Sequence, residues 1–479
     1  MSKAWPLVLV LALFSAASAC SADEERVVER VLGPLPAALL SVSAADGELW
    51  IAGASDELGA FLARRVGPGP FERVDLRGLD VRGGALWWVD ARAGAAVGER
   101  GRMFLLRPEL VAVETGTTTA LYGVAGDGDR LYAVGGPPAT LIAVSGGVAR
   151  EVRLPDGVPS DVRLFKVFFD GEAFHAVGER GVVLRIVPSD SGESIIYRPV
   201  PGAPRLVTVH GRAGVTGSLL AVGGASRGYA VELGDGARLI EPGAVAPLSG
   251  VAVGTTTLAT GFLGLLLERR GDAWHEVPGL GAMFDGHAVT FEGEVAWVVG
   301  GRLLDGTLRG GELWRVGPKG TAMGSVVDPD AMDAADLDTE DTGPEVVMPV
   351  CPELSAATGL ELGTRDHAGC FSRYGAGDDA TIINGPQGGS HVEVALRFPG
   401  PAARVDLSLA LSVDGTTIAR FEAEDFPTEV DAFDRSARLT TDLPVIFAGA
   451  DASAWVGREA TLSAVVGGVV DETVLVLRR

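Results

Sequence analysis

One short fragment recurs throughout the first two thirds of this chain. Ala-Val-Gly-Glu-Arg-Gly occurs at Ala96–Gly101 and again at Ala176–Gly181, and looser copies share its first glycine. That glycine falls at Gly53, Gly98, Gly135, Gly178, Gly223, Gly261 and Gly300. Units of about 40 residues are too short to bury a core alone, so they must pack on one another in a ring or an array.

The fourth unit shows most clearly what each repeat contains. Leu164–Phe169 is an apolar run that ends at Asp170-Gly171, a hairpin turn signal. Three more short strands follow at Glu172–Gly178, Val182–Val187 and Ser194–Pro199. Four strands in each of seven units predict an all-β fold with a seven-bladed β-propeller over residues 38–320.

Two recurring motifs resemble those of known propellers. Gly178–Arg185 has Gly-Glu-Arg-Gly followed by an apolar run and arginine, and Gly-x-x-Trp occurs at Gly47–Trp50, Gly271–Trp274 and Gly311–Trp314. The chain thus resembles the degenerate propellers with BNR-like, kelch-like and photosystem-II-stability-factor-like repeats. This resemblance implies the fold and no particular activity. The Ser-x-Asp-x-Gly-x-Thr-Trp box of sialidase-type repeats is missing.

The residues before the first repeat predict how the ring closes. Glu25–Val31 alternates like an outer blade strand and is expected to pair beside Gly311–Val316. Such a pairing joins the two ends of the ring and leaves no open sheet edge.

The N-terminus has the features of an export signal. Lys3 precedes the apolar run Leu7–Phe14, and small residues lead to Cys20, so residues 1–19 are interpreted as a signal peptide. The cysteine after Ala-Ser-Ala resembles a lipobox, which implies a lipid on Cys20. Residues 20–37 are then the lipidated N-terminus and contain the ring-closing strand. Ser21 follows, and the resemblance to Gram-negative lipoproteins then implies the outer membrane. The alternative is plain secretion with a free Cys20.

The other two cysteines fit this interpretation. If Cys20 carries a lipid, Cys351 and Cys370 are left to form one disulfide, because exported proteins rarely keep an odd exposed thiol. The chain has no Cys-x-x-Cys pair, which disfavours a zinc site.

Residues 321–350 are predicted to be a disordered acidic linker. Asp328–Pro344 is rich in acidic residues and poor in large apolar ones, so it cannot bury enough surface to fold. A calcium loop at Asp336, Asp338 and Asp341 is the alternative, but the glycine-centred turn and distal glutamate are missing.

Residues 351–479 carry repeated strand signals. Val405–Val413 alternates apolar and polar residues, and Asp414-Gly415 turns the chain into a second strand. Several such strands predict a small immunoglobulin-like β-sandwich. Gly385–His391 resembles a motif of uncharacterised Gram-negative envelope lipoproteins, which implies no activity.

Charge limits the possible partners. The chain carries a net charge of −23, and no part of it is strongly basic. Nucleic-acid binding and electrostatic adhesion to anionic lipid both require a basic surface. The expected partners are an envelope protein or a glycan, and the expected membrane contact is the lipid anchor alone.

Two groups of residues are candidate binding sites. Glu99-Arg100 and Glu179-Arg180 follow the repeat glycine and are expected at one mouth of the ring, either for binding or as a repeated structural salt bridge. His391 is expected to face outward and to meet Asp366 and His367 if the disulfide folds that loop back, as a ligand or metal site or as a surface cluster. No histidine pair has metal-ligand spacing, so no metal or cofactor is assigned.

No catalytic constellation is evident. Gly224–Gly228 fits Gly-x-Ser-x-Gly in letters, but it joins two strands rather than a strand and a helix. The sequence therefore favours a lipid-anchored envelope binding or scaffold protein that recognises a protein or glycan through propeller loops. The alternative is a lactonase-like or glycan-cleaving propeller enzyme with a metal in the central channel.

The tryptophans have two possible roles, stacking on sugars or packing between blades. They include Trp50, Trp87, Trp88, Trp274, Trp297 and Trp314.

Overall fold

A computed structural model describes residues 26–318 and 357–479, with gaps at 56–58, 77–78, 80–83, 190–191, 204, 216, 225–226, 235, 245, 282–283, 303–307, 366–370, 385–389, 403, 431–435, 441–442 and 448–451. The predicted signal peptide, lipidation site and acidic linker lie outside the described residues.

The N-terminal part folds into seven four-stranded antiparallel sheets. One strand, β1 (Arg26–Leu35), precedes the first complete sheet. The first three sheets contain β2 Ala38–Ala45, β3 Glu48–Ser55, β4 Gly59–Val66, β5 Phe71–Arg73, β6 Leu86–Asp90, β7 Ala95–Gly98, β8 Met103–Leu105, β9 Val111–Ala112, β10 Leu121–Gly126, β11 Arg130–Gly135, β12 Thr140–Ser145 and β13 Val148–Glu151.

The remaining sheets continue in the same order. They contain β14 Leu164–Phe169, β15 Phe174–Gly178, β16 Val183–Ser189, β17 Gly192–Tyr197, β18 Leu206–His210, β19 Leu220–Gly224, β20 Gly228–Leu233, β21 Ala237–Ile240, β22 Leu248–Val253, β23 Thr257–Gly261, β24 Leu266–Arg270, β25 Ala273–Glu276, β26 Gly286–Glu292, β27 Val295–Arg302 and β28 Arg309–Pro318. The innermost strand of every sheet packs against those of its two neighbours, which forms a closed ring. The prediction of an all-β, seven-bladed propeller is confirmed.

The seventh blade is built from both ends of this region. Its strand order is β1-β28-β27-β26, and β1 runs antiparallel to β28 from the Arg26–Pro318 pair to the Leu35–Gly311 pair. The pairing lies where the alternation of Glu25–Val31 predicts it and continues four residues further. The two ends of the propeller region are thus joined within one sheet.

The Ala-Val pair of the repeat packs between blades. In β15, Ala176 belongs to the core between the third and fourth blades, whereas Val177 belongs to the core between the fourth and fifth. Successive side chains of a strand point to opposite faces. The second strand of each blade therefore joins two neighbouring cores, and both of its faces are apolar.

Glycine is required at the repeat position for a steric reason that is the same in all seven blades. A Cβ at any of the seven positions would come closer than 3.0 Å to a backbone carbonyl oxygen at the start of the innermost strand. These carbonyls belong to Ala38, Ala85, Ala120, Arg163, Arg205, Pro247 and Asp285. Only glycine permits this approach.

The turns divide the ring into two faces. Turns between the second and third strands of each blade, such as Glu179–Val182, lie on one face, here called the 2–3 face. Turns between the first and second strands, such as Asp127–Arg130, lie on the opposite face, the 1–2 face. Arg26 and Pro318 pair on the 1–2 face.

The remaining strands form a C-terminal β-sheet domain. They are β29 Glu361–Arg365, β30 Phe371–Arg373, β31 Asp378–Thr381, β32 Ile383–Asn384, β33 Ser390–Pro399, β34 Arg404–Val413, β35 Thr416–Pro427, β36 Glu429–Val430, β37 Ala437–Leu439, β38 Leu443–Phe447, β39 Glu459–Val466 and β40 Val469–Arg478. The hydrogen-bonded path runs β33-β38-β35-β34-β39-β40-β31, and β32 returns to β33. The immunoglobulin-like assignment stays a prediction. Two 3₁₀ turns, Glu99–Gly101 and Ser453–Trp455, are the helical elements of the described chain.

Candidate functional site

Each innermost strand carries one β-bulge at the same position. In β14, for example, Leu164 pairs with Gly178 and Lys166 with Val177, which leaves Phe165 without a partner. A bulge adds one residue to one strand of a pair and re-aims its side chain. The bulged residues are Leu40, Trp87, Tyr122, Phe165, Val207, Ser249 and His287. We call them the channel belt.

Aromatic side chains fill one arc of the channel belt. The ring centroids of Trp87 and Tyr122 lie 5.5 Å apart, and those of Tyr122 and Phe165 lie 5.8 Å apart. Trp87 and Phe165 are almost fully buried. Such tilted contacts are favourable beyond the area that they bury. The belt therefore constricts the centre of the ring with packed side chains.

Charged side chains gather where the channel opens on the 2–3 face. Glu179 accepts hydrogen bonds from the Arg163 backbone N–H and from Arg163 Nη1, both at 2.9 Å. Glu179 also forms a β-bridge with Arg205, whose Nε donates to the Gly224 carbonyl at 3.2 Å. Burial lowers the pKa of Arg205 to about 10, and the Glu179 charge opposes this change.

The second blade contributes to the same region. A Cβ at Gly84 would meet both the Arg102 guanidinium and the Glu99 side chain, which places these two groups together at the start of β6. Burial raises the pKa of Tyr122, and the charges of Arg163 and Glu99 also act on this hydroxyl. We define the mouth cluster as Glu99, Arg102, Tyr122, Arg163, Glu179 and Arg205.

The two Glu-Arg pairs predicted from the repeat separate in the structure. Glu99 and Glu179 lie in the mouth cluster. Arg100 and Arg180 are exposed, with φ of 57° and 53°, at the second position of tight turns. Arg180 pairs with Asp161 at 2.6 Å, outside the cluster. Glu179 forms a salt bridge with Arg163 at 2.9 Å, a contact of the structural kind that the sequence left open.

A buried lysine next to the belt links the fourth blade to the second. Lys166 from the fourth blade places Nζ 2.8 Å from the ring centroid of Trp88 in the second blade. Gly123 of the intervening third blade lies against the Lys166 backbone and presents no side chain there. Burial lowers the pKa of Lys166 well below its usual value, and the charge of Asp90 opposes this shift. Lys166 was not among the candidates, since spacing does not reveal contacts between non-adjacent blades.

A histidine lies near the 1–2 end of the channel. Burial, helped by the Arg92 charge, lowers the pKa of His210 to about 4. The ring is therefore neutral at pH 7, and its Nδ1 accepts the Val253 N–H at 3.1 Å. Phe168 packs on the same ring, with centroids 4.7 Å apart. His210 thus links neighbouring blades and has the contacts of a structural residue.

The expectation that His391 faces outward is wrong. His391 is 3% exposed, and Arg397 on the same side of β33 is 1% exposed and pairs with Glu361 at 3.0 Å. Ala395 lies on the same side of β33, between His391 and Arg397. Phe371 and Leu439 pack against Ala395 and cover this side. Asp366 and His367, the predicted neighbours of His391, lie outside the described residues, as do Cys20, Cys351 and Cys370.

A cavity lies between the propeller and the C-terminal domain on the 2–3 face. It measures about 780 Å³ and is lined by Arg227 and Tyr229 on one side and by Arg420 and Glu422 on the other. Arg227 and Glu422 approach to 4.0 Å, and Leu263 packs against the C-terminal core. Cavities of this size accommodate small ligands.

Other sites that the sequence left open receive less support. Trp50 and Trp297 are buried between blade strands, as blade-packing residues would be. Within the described parts of the chain, no group of three or more His, Cys, Asp or Glu side chains is arranged to hold a metal ion. No helix there is both long enough and apolar enough to cross a bilayer.

Comparisons with known proteins found similarity to solved structures at low sequence identity. No family model matches it, and no curated protein does. Among solved structures it is similar to YCF48 bound to a D1 peptide, with 14% identity, a TM-score of 0.45 and coverage of 61% of this chain and 95% of the other.

Two further structures give similar values. YCF48 from Cyanidioschyzon merolae has 13% identity and a TM-score of 0.44, with coverage of 61% and 99%. The Pan2 WD40 domain of Neurospora crassa has 11% identity and a TM-score of 0.43, with coverage of 63% and 98%. At these values none of the three supports a conclusion about function.

Proposed function

We propose that this protein is a lipid-anchored component of the bacterial cell envelope that binds a segment of a partner protein at the 2–3 mouth of its propeller. The observation that carries the proposal is the mouth cluster. Four consecutive blades bring charged and hydroxyl groups to one opening of a rigid ring. Binding residues are commonly presented on loops that a rigid scaffold positions.

The C-terminal domain extends the same surface. It contacts turns of the fifth and sixth blades on the 2–3 face through Arg227 and Leu263. The cavity between the two parts opens beside these turns. A partner segment that enters the mouth can therefore also contact the lining of this cavity, which is partly polar and partly apolar.

The anchor fits this arrangement. Cys20 precedes Arg26 by six positions, a span of at most about 20 Å even when fully extended. Arg26 lies on the 1–2 face. A lipid on Cys20 would hold that face near the membrane and direct the 2–3 mouth and the C-terminal domain towards the envelope space.

The proposal is tested by in-cell crosslinking of the tagged full-length protein, followed by mass spectrometry of the proteins that co-purify. We expect one dominant envelope protein with the wild type and at least a tenfold loss with Arg163→Glu, since this change reverses a charge held by Glu179. Arg153→Glu is the matched control, because its side chain is 88% exposed and lies away from the mouth. Equal capture by the two variants, or background alone with lipidated wild type, would contradict the proposal.

A further inference from the structure

Two buried donors beside the mouth have no acceptor among the described protein atoms. They are the indole N–H of Trp87, a residue that is 7% exposed, and the Nε–H of Arg163. Leaving a buried donor unsatisfied is unfavourable, and native proteins rarely tolerate it. Two such donors in one region indicate a group that accepts hydrogen bonds there.

Tyr122 connects the two donors. Its ring packs on Trp87, and its hydroxyl lies close enough to the Arg163 guanidinium for that charge to oppose the rise in pKa that burial causes. An indole, a phenol and a guanidinium therefore follow one another from the second blade to the fourth. Donors of this kind suit an anionic oxygen, because hydrogen bonds to charged acceptors are the stronger ones.

The charges of the mouth cluster set the charge of such a ligand. Arg102, Arg163 and Arg205 provide three positive charges, and Glu99 and Glu179 provide two negative ones. The pKa of Arg205, about 10, keeps it protonated at neutral pH. The cluster thus has a net charge of +1 in a chain whose net charge is −23, which complements a monoanion better than a dianion.

The walls around these donors are apolar. Trp87 clusters with Leu40, and Tyr122 and Leu308 pack on the same group. Phe165 continues the aromatic arc beyond Tyr122. A ligand that reaches the donors must place an apolar body against these side chains, because a polar one would lose its hydration without compensation.

We propose that the mouth cluster binds a carboxylate carried by an apolar group, the chemistry of a peptide C-terminus with a nonpolar last side chain. The inference rests on the proposed function and names the part of the partner that enters the ring. Trp87, Tyr122 and Arg163 hold the carboxylate, and the aromatic arc holds the apolar group. Arg205 and Arg102 supply the remaining positive charge.

The test measures thermal unfolding of the purified full-length protein with N-acetyl-L-phenylalanine or with its amide, which has the same body without the charge. We expect a saturable rise in Tm with the acid and at least tenfold weaker binding of the amide. Trp87→Phe keeps an aromatic side chain, although a smaller one, and loses the N–H, and we expect it to weaken acid binding about tenfold. Trp274→Phe is the control, because its buried indole N–H also lacks an acceptor among the described atoms but lies on an outer strand of the sixth blade.

A peptide Gly-Gly-Phe with a free C-terminus separates the two sources of this chemistry. Tighter binding than the acid assigns the site to a peptide terminus, and equal binding assigns it to a small acid. Equal effects of acid and amide, no effect of either, or an unchanged response in Trp87→Phe would overturn the inference. Partner capture that depends on Arg163 would then still support the proposed function, so the two can fail separately.

Discussion

Replacing Gly178 with alanine is expected to lower the free energy of unfolding of the full-length protein by about 3 kcal/mol. The new Cβ would lie against the Arg163 carbonyl oxygen, which is backbone and cannot rotate away. The same carbonyl accepts the Glu179 N–H at 3.0 Å beside the bulge. Relief of the clash must therefore widen the bulge and displace both Phe165 in the belt and Arg163 in the mouth.

The matched control is Gly281→Ala. Gly281 has no atom within 4 Å of an added Cβ and no positive φ, so its free energy of unfolding should change by no more than about 0.5 kcal/mol. Both values come from urea unfolding followed by circular dichroism. Similar values for the two variants would show that the close approach at the repeat glycine does not determine stability.

Lys166→Met should change how stability depends on pH. Burial of the amine lowers the pKa of Lys166 in the folded state, whereas the unfolded chain keeps a pKa of about 10.5. At pH values between these two, the unfolded chain binds a proton that the folded chain has released. The free energy of unfolding of the wild type should therefore rise with pH across this window, by up to about 1.4 kcal/mol per pH unit from this group. The methionine variant lacks this contribution.

At pH 7 the methionine variant should be at least as stable as the wild type, since an apolar side chain of similar volume replaces a buried amine. Its relative advantage should shrink as the pH approaches 10. Lys166→Arg serves as the comparison, because a guanidinium does not deprotonate and should destabilise the protein at every pH. Urea unfolding of the three proteins from pH 7 to pH 10 measures this, and parallel curves for wild type and Lys166→Met would contradict the account.

The ring could be predicted from the sequence because the same steric requirement for glycine recurs in every blade. Gly98 and Gly178 stand in the same place for the same reason, a carbonyl of the innermost strand that leaves no room for a Cβ. A constraint that recurs every 40 residues or so remains visible when the other residues diverge. Closure by β1 was visible for a similar reason, because an outer strand has a two-residue alternation.

The centre of the ring could not be predicted in this way. Lys166 reaches Trp88 only because Gly123 in the blade between them has no side chain. The mouth cluster likewise combines Arg163 and Arg205, which begin different blades, with Tyr122 from a bulge. These residues are far apart in sequence and follow no shared motif, so only the folded ring brings them together.

His391 illustrates a different limit. Its alternation with Val392 and Val394 correctly separates two sides of β33, but alternation alone does not tell which side meets solvent. In this domain Phe371 and Leu439 cover the polar side, so both sides are buried. The pairing of Arg397 with Glu361 satisfies the charge that this coverage buries.

We propose that a partner protein meets the 2–3 face of the propeller. Site-specific photo-crosslinking in cells tests it most directly, with a photoreactive amino acid at position 180 on that face or at position 129 on the opposite face, both of which are exposed. We predict a discrete adduct with one envelope protein from position 180 and none from position 129. An adduct from position 129 alone would contradict the account and assign recognition to the 1–2 face.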